Sequence, residues 1–178
     1  MRLSEIIDNI TGVNPDLESA LLQVKVIARR SGSTDILKWI DAEVSGYEAN
    51  QLLPPYRIIN TVPMGCLMNS AWRQDSAQLP IFALPNGIKE SLTTSYIRMS
   101  VSALKTAISE QGELIEPIPP EMCSLISKNL ANGFQVVEAH KPITNMNLAD
   151  IYSLACPPPD GHIDQVGFHH GSYAQSPS

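Results

Sequence analysis

The chain is short of charge. Charged residues fill 17% of its 178 positions, against roughly 25% in ordinary globular domains. Lys and Arg number 12 against 18 Asp and Glu, and Arg29-Arg30 is the only adjacent basic pair. A phosphate backbone is gripped by a basic stripe that displaces its counterions. No such stripe is present, which argues against a nucleic-acid partner. Cysteine is scarce as well: Cys66, Cys123 and Cys156 are far apart and odd in number. Their spacing fits neither a zinc site nor a disulfide framework, so they read as thiols of a reducing compartment. No apolar run is long enough to cross a bilayer, and the opening MRLSEIIDNITG carries acids within its first ten residues. It reads as neither a signal peptide nor a membrane span. The expected location is the cytoplasm, with no membrane attachment.

Motifs of chemistry are missing too. There is no Gly-rich loop ending in Gly-Lys-Ser/Thr to cradle phosphates and no Gly-x-Ser-x-Gly nucleophile elbow. No acid stands two positions before a lysine, as the common metal-dependent nucleases require. No arginine precedes a histidine by five to seven positions, as in compact toxin ribonucleases. Glu113 and Glu116 fall in a short extended segment, and nothing assigns them acid–base work. His140 reads as structural. His162, His169 and His170 lie near Asp160 and Asp164, where a metal is conceivable, but the stretch reads as a solvated tail. No cofactor and no metal are expected.

What is present is enough for a core. A chain this long should bury about 70% of its unfolded surface. Residues 3–11 suit a short amphipathic helix with Leu3, Ile6, Ile7 and Ile10 inward. Asn14 and Pro15 suit the cap and first turn of a second helix over 15–31, with Leu17, Leu21, Val24 and Ala28 on one face. A third, over 34–45, turns Ile36, Leu37, Ile40 and Val44 inward and stops at Gly46. Residues 56–67 read as a strand in which Pro63 and Gly65 mark an edge or a bulge. The connection 69–85 has room for a short strand near 78–83. Asn86 can cap one long helix over 88–110, with rows Leu92, Tyr96, Met99, Ala103 and Ile97, Val101, Leu104, Ile108. Its other side is rich in Ser91, Thr94, Ser95, Ser102 and Thr106. An extended segment at 113–118, a helix from Pro120 to about Leu130 and a strand over 134–142 follow. Residues 145–156 make a weak helix, and 157–178 a Pro/Gly/His/Ser-rich tail. The expectation is one α+β domain over 1–156: an N-terminal helical array and a long core helix packed on a small sheet.

One corner stands out. LKWIDAEVSGYEANQLLPPYR places Trp39, Tyr47 and Tyr56 around a helix stop and a proline pair, in a chain with 6% aromatics. Trp39 and Glu43 are four apart and share a helix face; Gly46 lets Tyr47 turn back onto it. The corner reads either as a helix-to-sheet joint clamped by rings or as a ligand or partner surface. Trp72 and Arg73 offer a similar pair, as a stacking site or as a loop covering the core. The low charge and the Ser/Thr-rich side of the 88–110 helix point to a protein partner or a homo-oligomer.

Taken together, Trp39, Glu43, Gly46, Tyr47, Leu53, Pro55, Tyr56 and Arg57, then AWRQ with Trp72 and Arg73, then LPIFALP and the helix beyond it, resemble the AbiTii domain of bacterial abortive-infection systems. The similarity covers about residues 1–145. It implies a cytoplasmic prokaryotic protein of phage defence, either a toxin-like effector or a component that holds one. It implies no particular reaction, and a non-enzymatic binding or oligomerisation module is the alternative. One departure is expected: the family ends in an amphipathic helix after the 134–143 strand, where this chain runs into CPPPDGHIDQ.

Overall fold

The computed structural model describes residues 17–110 and 112–155. The helix expected at 3–11, the Asn14-Pro15 start and the tail from 157 lie outside them. Helices α1 (Leu17–Ser31) and α2 (Thr34–Ser45) follow the expected bounds. The link between them is too short for anything but a hairpin, and Lys25 of α1 pairs with Asp41 of α2. Their facing sides bury Leu17, Leu21, Trp39 and Ile40 together with Val101 and Ala155.

The expected helix over 88–110 breaks in its middle. α3 (Asn86–Thr93) runs into strand β4 (Thr94–Tyr96), and α4 (Val101–Ser109) begins only after Ser100. Asn86 is the first helical residue, after Pro85, and not the cap. Both apolar rows have helical spacing, but Thr93, Thr94 and Ser95 are weak helix formers. Tertiary pairing then decides. β4 zips antiparallel onto β1 (Ile58–Asn60) in a two-stranded ribbon, with Ile58 opposite Tyr96 and Asn60 opposite Thr94. Leaving the helix frees carbonyls, and buried cations take them. Lys141 Nζ donates to the Thr94 carbonyl at 2.8 Å, and Arg57 Nη1 donates to those of Ile97 and Met99 at 3.2 and 2.5 Å. The Ser100 hydroxyl accepts from the Ala103 amide at 3.2 Å and restarts the helix. The Ser/Thr-rich face therefore does not form, since Thr94 and Ser95 are buried.

The expected strand over 56–67 is also divided. Pro55–Arg57 is a 3-10 turn, β1 joins the ribbon, and β2 (Met64–Met68) enters a separate sheet. That sheet is antiparallel in the order β3-β2-β6-β5, with β3 at Arg73–Gln78, β5 at Leu114–Pro117 and β6 at Gln135–Ile143. β2 is thus central and not an edge, and the bulge falls beside Cys66. Gly65 is required there: a Cβ would lie 2.4 Å from the Glu138 carbonyl oxygen. The strand expected near 78–83 lies earlier, at 73–78. RQDSAQ has no apolar alternation; it buries Ala77 alone and is held chiefly by backbone pairing to β2. α5 (Pro120–Lys128) packs on the sheet, enclosing Leu79, Leu92, Ile118, Ile126, Val136 and Ala139.

The weak helix expected over 145–156 is present as α6 (Asn145–Leu154), which follows β6 directly and is opened by a capping box between Thr144 and Asn147; a helix therefore does follow the 134–143 strand in this chain. Leu148 and Ile151, three apart, are fully buried against Ile97, Leu104 and Ile143. The architecture is α+β, as expected.

Candidate functional site

The corner after α2 is built around one carboxylate. Glu43 sits in the last turn of α2, four residues after Trp39. Gly46 ends the helix at φ +89°, and a Cβ there would meet the Arg98 carbonyl oxygen at 3.1 Å. The chain reverses against the segment after β4, and the Tyr47 amide donates to the Arg98 carbonyl at 2.8 Å. This swings the Tyr47 hydroxyl onto Glu43 Oε1 at 2.6 Å. Pro54 and Pro55 then set the 3-10 turn, where Pro suits the first position. The turn delivers Tyr56 and Arg57 to the same point. The Tyr56 hydroxyl donates to Glu43 Oε1 at 2.7 Å and accepts from Trp39 Nε1 at 2.8 Å. Arg57 donates through Nε to Oε1 at 3.1 Å and through Nη2 to Oε2. Its guanidinium lies 5.0 Å above the Tyr47 ring.

Capacity and demand match for the carboxylate and nearly so for the guanidinium. A carboxylate offers about four acceptor sites, and a guanidinium five donors. Glu43 receives four hydrogen bonds, and Arg57 gives four, two of them to the Ile97 and Met99 carbonyls. Both side chains are 0% exposed. Burial pushes the Tyr47 and Tyr56 hydroxyls well above the ordinary tyrosine range, and the charge of Glu43 beside them adds to it. Both stay protonated, as donors to Glu43 must. The group is closed upon itself, and its work is to join α2, the 3-10 turn and the segment after β4.

Trp72 and Arg73 are not brought to this corner. Trp72 packs edge-on against Phe134, centroids 5.5 Å apart, and covers the end of the four-stranded sheet. Arg73 pairs with Asp75 at 2.9 Å on the exposed edge strand, and its hydrogen bond holds the Asp75 carboxyl below its usual range. Two structural cations went unread in the sequence. Arg98 Nη1 donates to the carbonyls of Glu48 and Gln51 at 2.6 and 3.1 Å, pinning the loop before Pro54. Lys141, 6% exposed, pairs with Glu116 at 2.7 Å as well as with Thr94. Neither carries a local signal, because each answers carbonyls nearly fifty residues away.

Among the described residues no three His, Cys, Asp or Glu side chains stand together as a metal site. No described helix is long and apolar enough to cross a membrane. The class defined so far is an α+β domain whose helical hairpin is clamped to its ribbon by a buried Glu–Arg–Tyr–Tyr–Trp network. The AbiTii family model matches residues 3–153, and the chain belongs to that family. The match runs past residue 145 into α6, in keeping with the helix found there. The family carries an abortive-infection role in defence against phage. No curated protein and no solved structure matches the chain significantly.

Proposed function

We propose that the protein serves abortive infection as an effector component that acts by docking on protein, either a partner in the cytoplasm or a second copy. In this reading Trp39, Glu43, Gly46, Tyr47, Pro55, Tyr56 and Arg57 shape the docking surface without touching the partner. Support comes from what the corner hides and what it turns outward. Glu43 and Arg57 are sealed from solvent and turned onto their neighbours, Glu43 through four accepted bonds and Arg57 through four of its five donors, which leaves neither for a substrate. Along the ribbon Arg57, Ile59, Ser95 and Ile97 turn inward while Ile58 and Tyr96 turn out. These two are cross-strand partners, 41% and 53% exposed. The observation that carries the reading is this outward pair on the back of the buried clamp. Aromatic residues are enriched and charges depleted at interface cores, and tyrosine is a frequent anchor.

The family's defence role favours a second reading, a toxin-like effector that harms the infected cell. Expression at rising levels in bacteria, with and without phage, separates the two. Docking expects protection that needs phage and is lost in Ile58→Glu/Tyr96→Glu at unchanged melting temperature. Growth arrest by the chain alone that persists in this double variant overturns docking. Light scattering across a dilution series then tells a second copy from another partner.

A further inference from the structure

The ribbon of β1 and β4 has two edges, and they differ. The Arg57 carbonyl accepts from the Ile97 amide at 2.9 Å, and the Thr61 amide donates to the Thr93 carbonyl at 2.7 Å. Antiparallel pairs alternate between bonded and non-bonded residues. Arg57, Ile59 and Thr61 therefore bond toward β4, and the backbone groups of Ile58, Asn60 and Val62 point to the opposite side. The outer edge of β4 is shut: the Thr94 amide donates to the Glu90 carbonyl, and the Thr94 carbonyl accepts from Lys141. On the outer edge of β1 the Ile58 amide donates to the Pro55 carbonyl. The Ile58 carbonyl, both backbone groups of Asn60 and the Val62 amide have no hydrogen-bond partner among the described residues. Ile58, Asn60 and Val62 are all exposed.

This edge is also unguarded. Proteins blunt open edges with charge, proline or a bulge. β3 carries Arg73, Asp75 and a register shift against β2, and β5 carries Glu116 and Pro117. From Ile58 to Val62 the sequence is IINTV, without charge or proline. A two-stranded ribbon is itself marginal and gains from further strands. Taking docking as the mode of action, we infer that the occupant is a second copy, with β1 pairing antiparallel to β1 about a two-fold axis at Asn60. Such an interface uses the same patch on both copies. Asn60 then meets its own counterpart, and Ile58 meets Val62 of the second copy. Each Asn60 amide donates to the other Asn60 carbonyl, and each Val62 amide donates to the free Ile58 carbonyl. The edge is its own complement, since the Ile58 amide, already taken, is the one donor this register leaves unused. Ile58 and Val62 make a β-branched cross-strand pair, beside Tyr96 on the same outward face. The ribbon becomes a four-stranded sheet in the order β4-β1-β1-β4.

The test uses the full chain. Light scattering across a dilution series should show the parent passing from monomer to dimer. Asn60→Pro removes an amide that β4 does not use, and proline is accepted on edge strands in that orientation. It should raise the dimer dissociation constant by about tenfold or more at unchanged circular dichroism. Asn60→Ala keeps the amide and should stay dimeric. Register is read by disulfide formation in a Cys156→Ser background, with Cys66 and Cys123 buried. Asn60→Cys should link to its own counterpart, because facing residues of a bonded pair lie about 5.5 Å apart, within disulfide range. Ile58→Cys should not, because its counterpart lies about 14 Å away in this register. A parent that stays monomeric at every concentration overturns the pairing, and so does Asn60→Cys linking no better than Ile58→Cys. The cysteine result stands whether or not the proline variant folds. A monomeric parent whose phage protection is still lost in Ile58→Glu/Tyr96→Glu overturns the pairing alone and assigns the ribbon to another protein. Protection kept by that double variant overturns docking itself.

Discussion

Glu43 and Arg57 stand fourteen residues apart in the chain and meet in a two-pronged ion pair with no solvent exposure. Removing one partner of such a pair strands a buried charge, which costs about 3–5 kcal/mol. Arg57→Ala and Glu43→Ala should each lose that much in denaturant unfolding. Buried pairs can often be replaced together by apolar residues at no loss. This one should not, because Arg57 also serves the Ile97 and Met99 carbonyls and Glu43 also serves two tyrosines. Glu43→Leu/Arg57→Met is expected to recover part of the loss and remain below the parent. A double variant as stable as the parent refutes the clamp.

Trp39 closes the network from the helix side, through its ring and through Nε1. Trp39→Ala should cost about 3–5 kcal/mol, as large aromatic truncations do. Trp39→Phe keeps most of the packing and loses one hydrogen bond, worth about 1 kcal/mol. Thermal unfolding of the two variants gives the order, and equal losses would show that the ring contributes nothing beyond the bond.

Gly46 stands at φ +89° and ψ 161°, a region almost reserved for glycine, with the Arg98 carbonyl close by. Gly46→Ala should cost on the order of 1–3 kcal/mol. Since the Tyr47 amide and hydroxyl are placed by this turn, the variant should also loosen the network. Faster hydrogen exchange at the Tyr47 amide is the measurement.

The tyrosines give a pH window. Their hydroxyls are raised in the folded protein, first by burial and then by Glu43, and in the unfolded chain they titrate near pH 10. A raised group contributes stability that is whole below the unfolded value and lost as pH rises above it. Melting temperature should therefore hold to about pH 9 and fall beyond about pH 10. Tyr47→Phe/Tyr56→Phe should start lower and fall less steeply over pH 9–11. Parallel curves for parent and variant would count against two protonated, buried hydroxyls.

Much of the fold was legible because its causes are local. Spaced apolar residues set α1 and α2, with a glycine just past each, and the alternating β-rich run at 134–142 set β6. Neighbours within four residues also placed Trp39, Glu43 and Tyr47 on one side of a turn. That is why the corner could be singled out. Its sealed state could not be read there. The carbonyls that complete Arg57's hydrogen bonding belong to Ile97 and Met99, forty and forty-two residues on.

By itself, then, the sequence determined the elements whose side-chain period and stop signals agree. Where period and propensity disagree, only the tertiary structure decided. Residues 88–110 have helical spacing throughout, but Thr93 to Ser95 have little preference for helix, so a few distant bonds were enough to tip them. Pairing with β1 and the two buried cations, Arg57 and Lys141, stabilise an extended backbone there. β3 is the converse case, a polar stretch that became a strand because β2 offered an open edge. In both, the deciding energy lies in backbone groups, which are the same in every residue and leave no mark on the sequence.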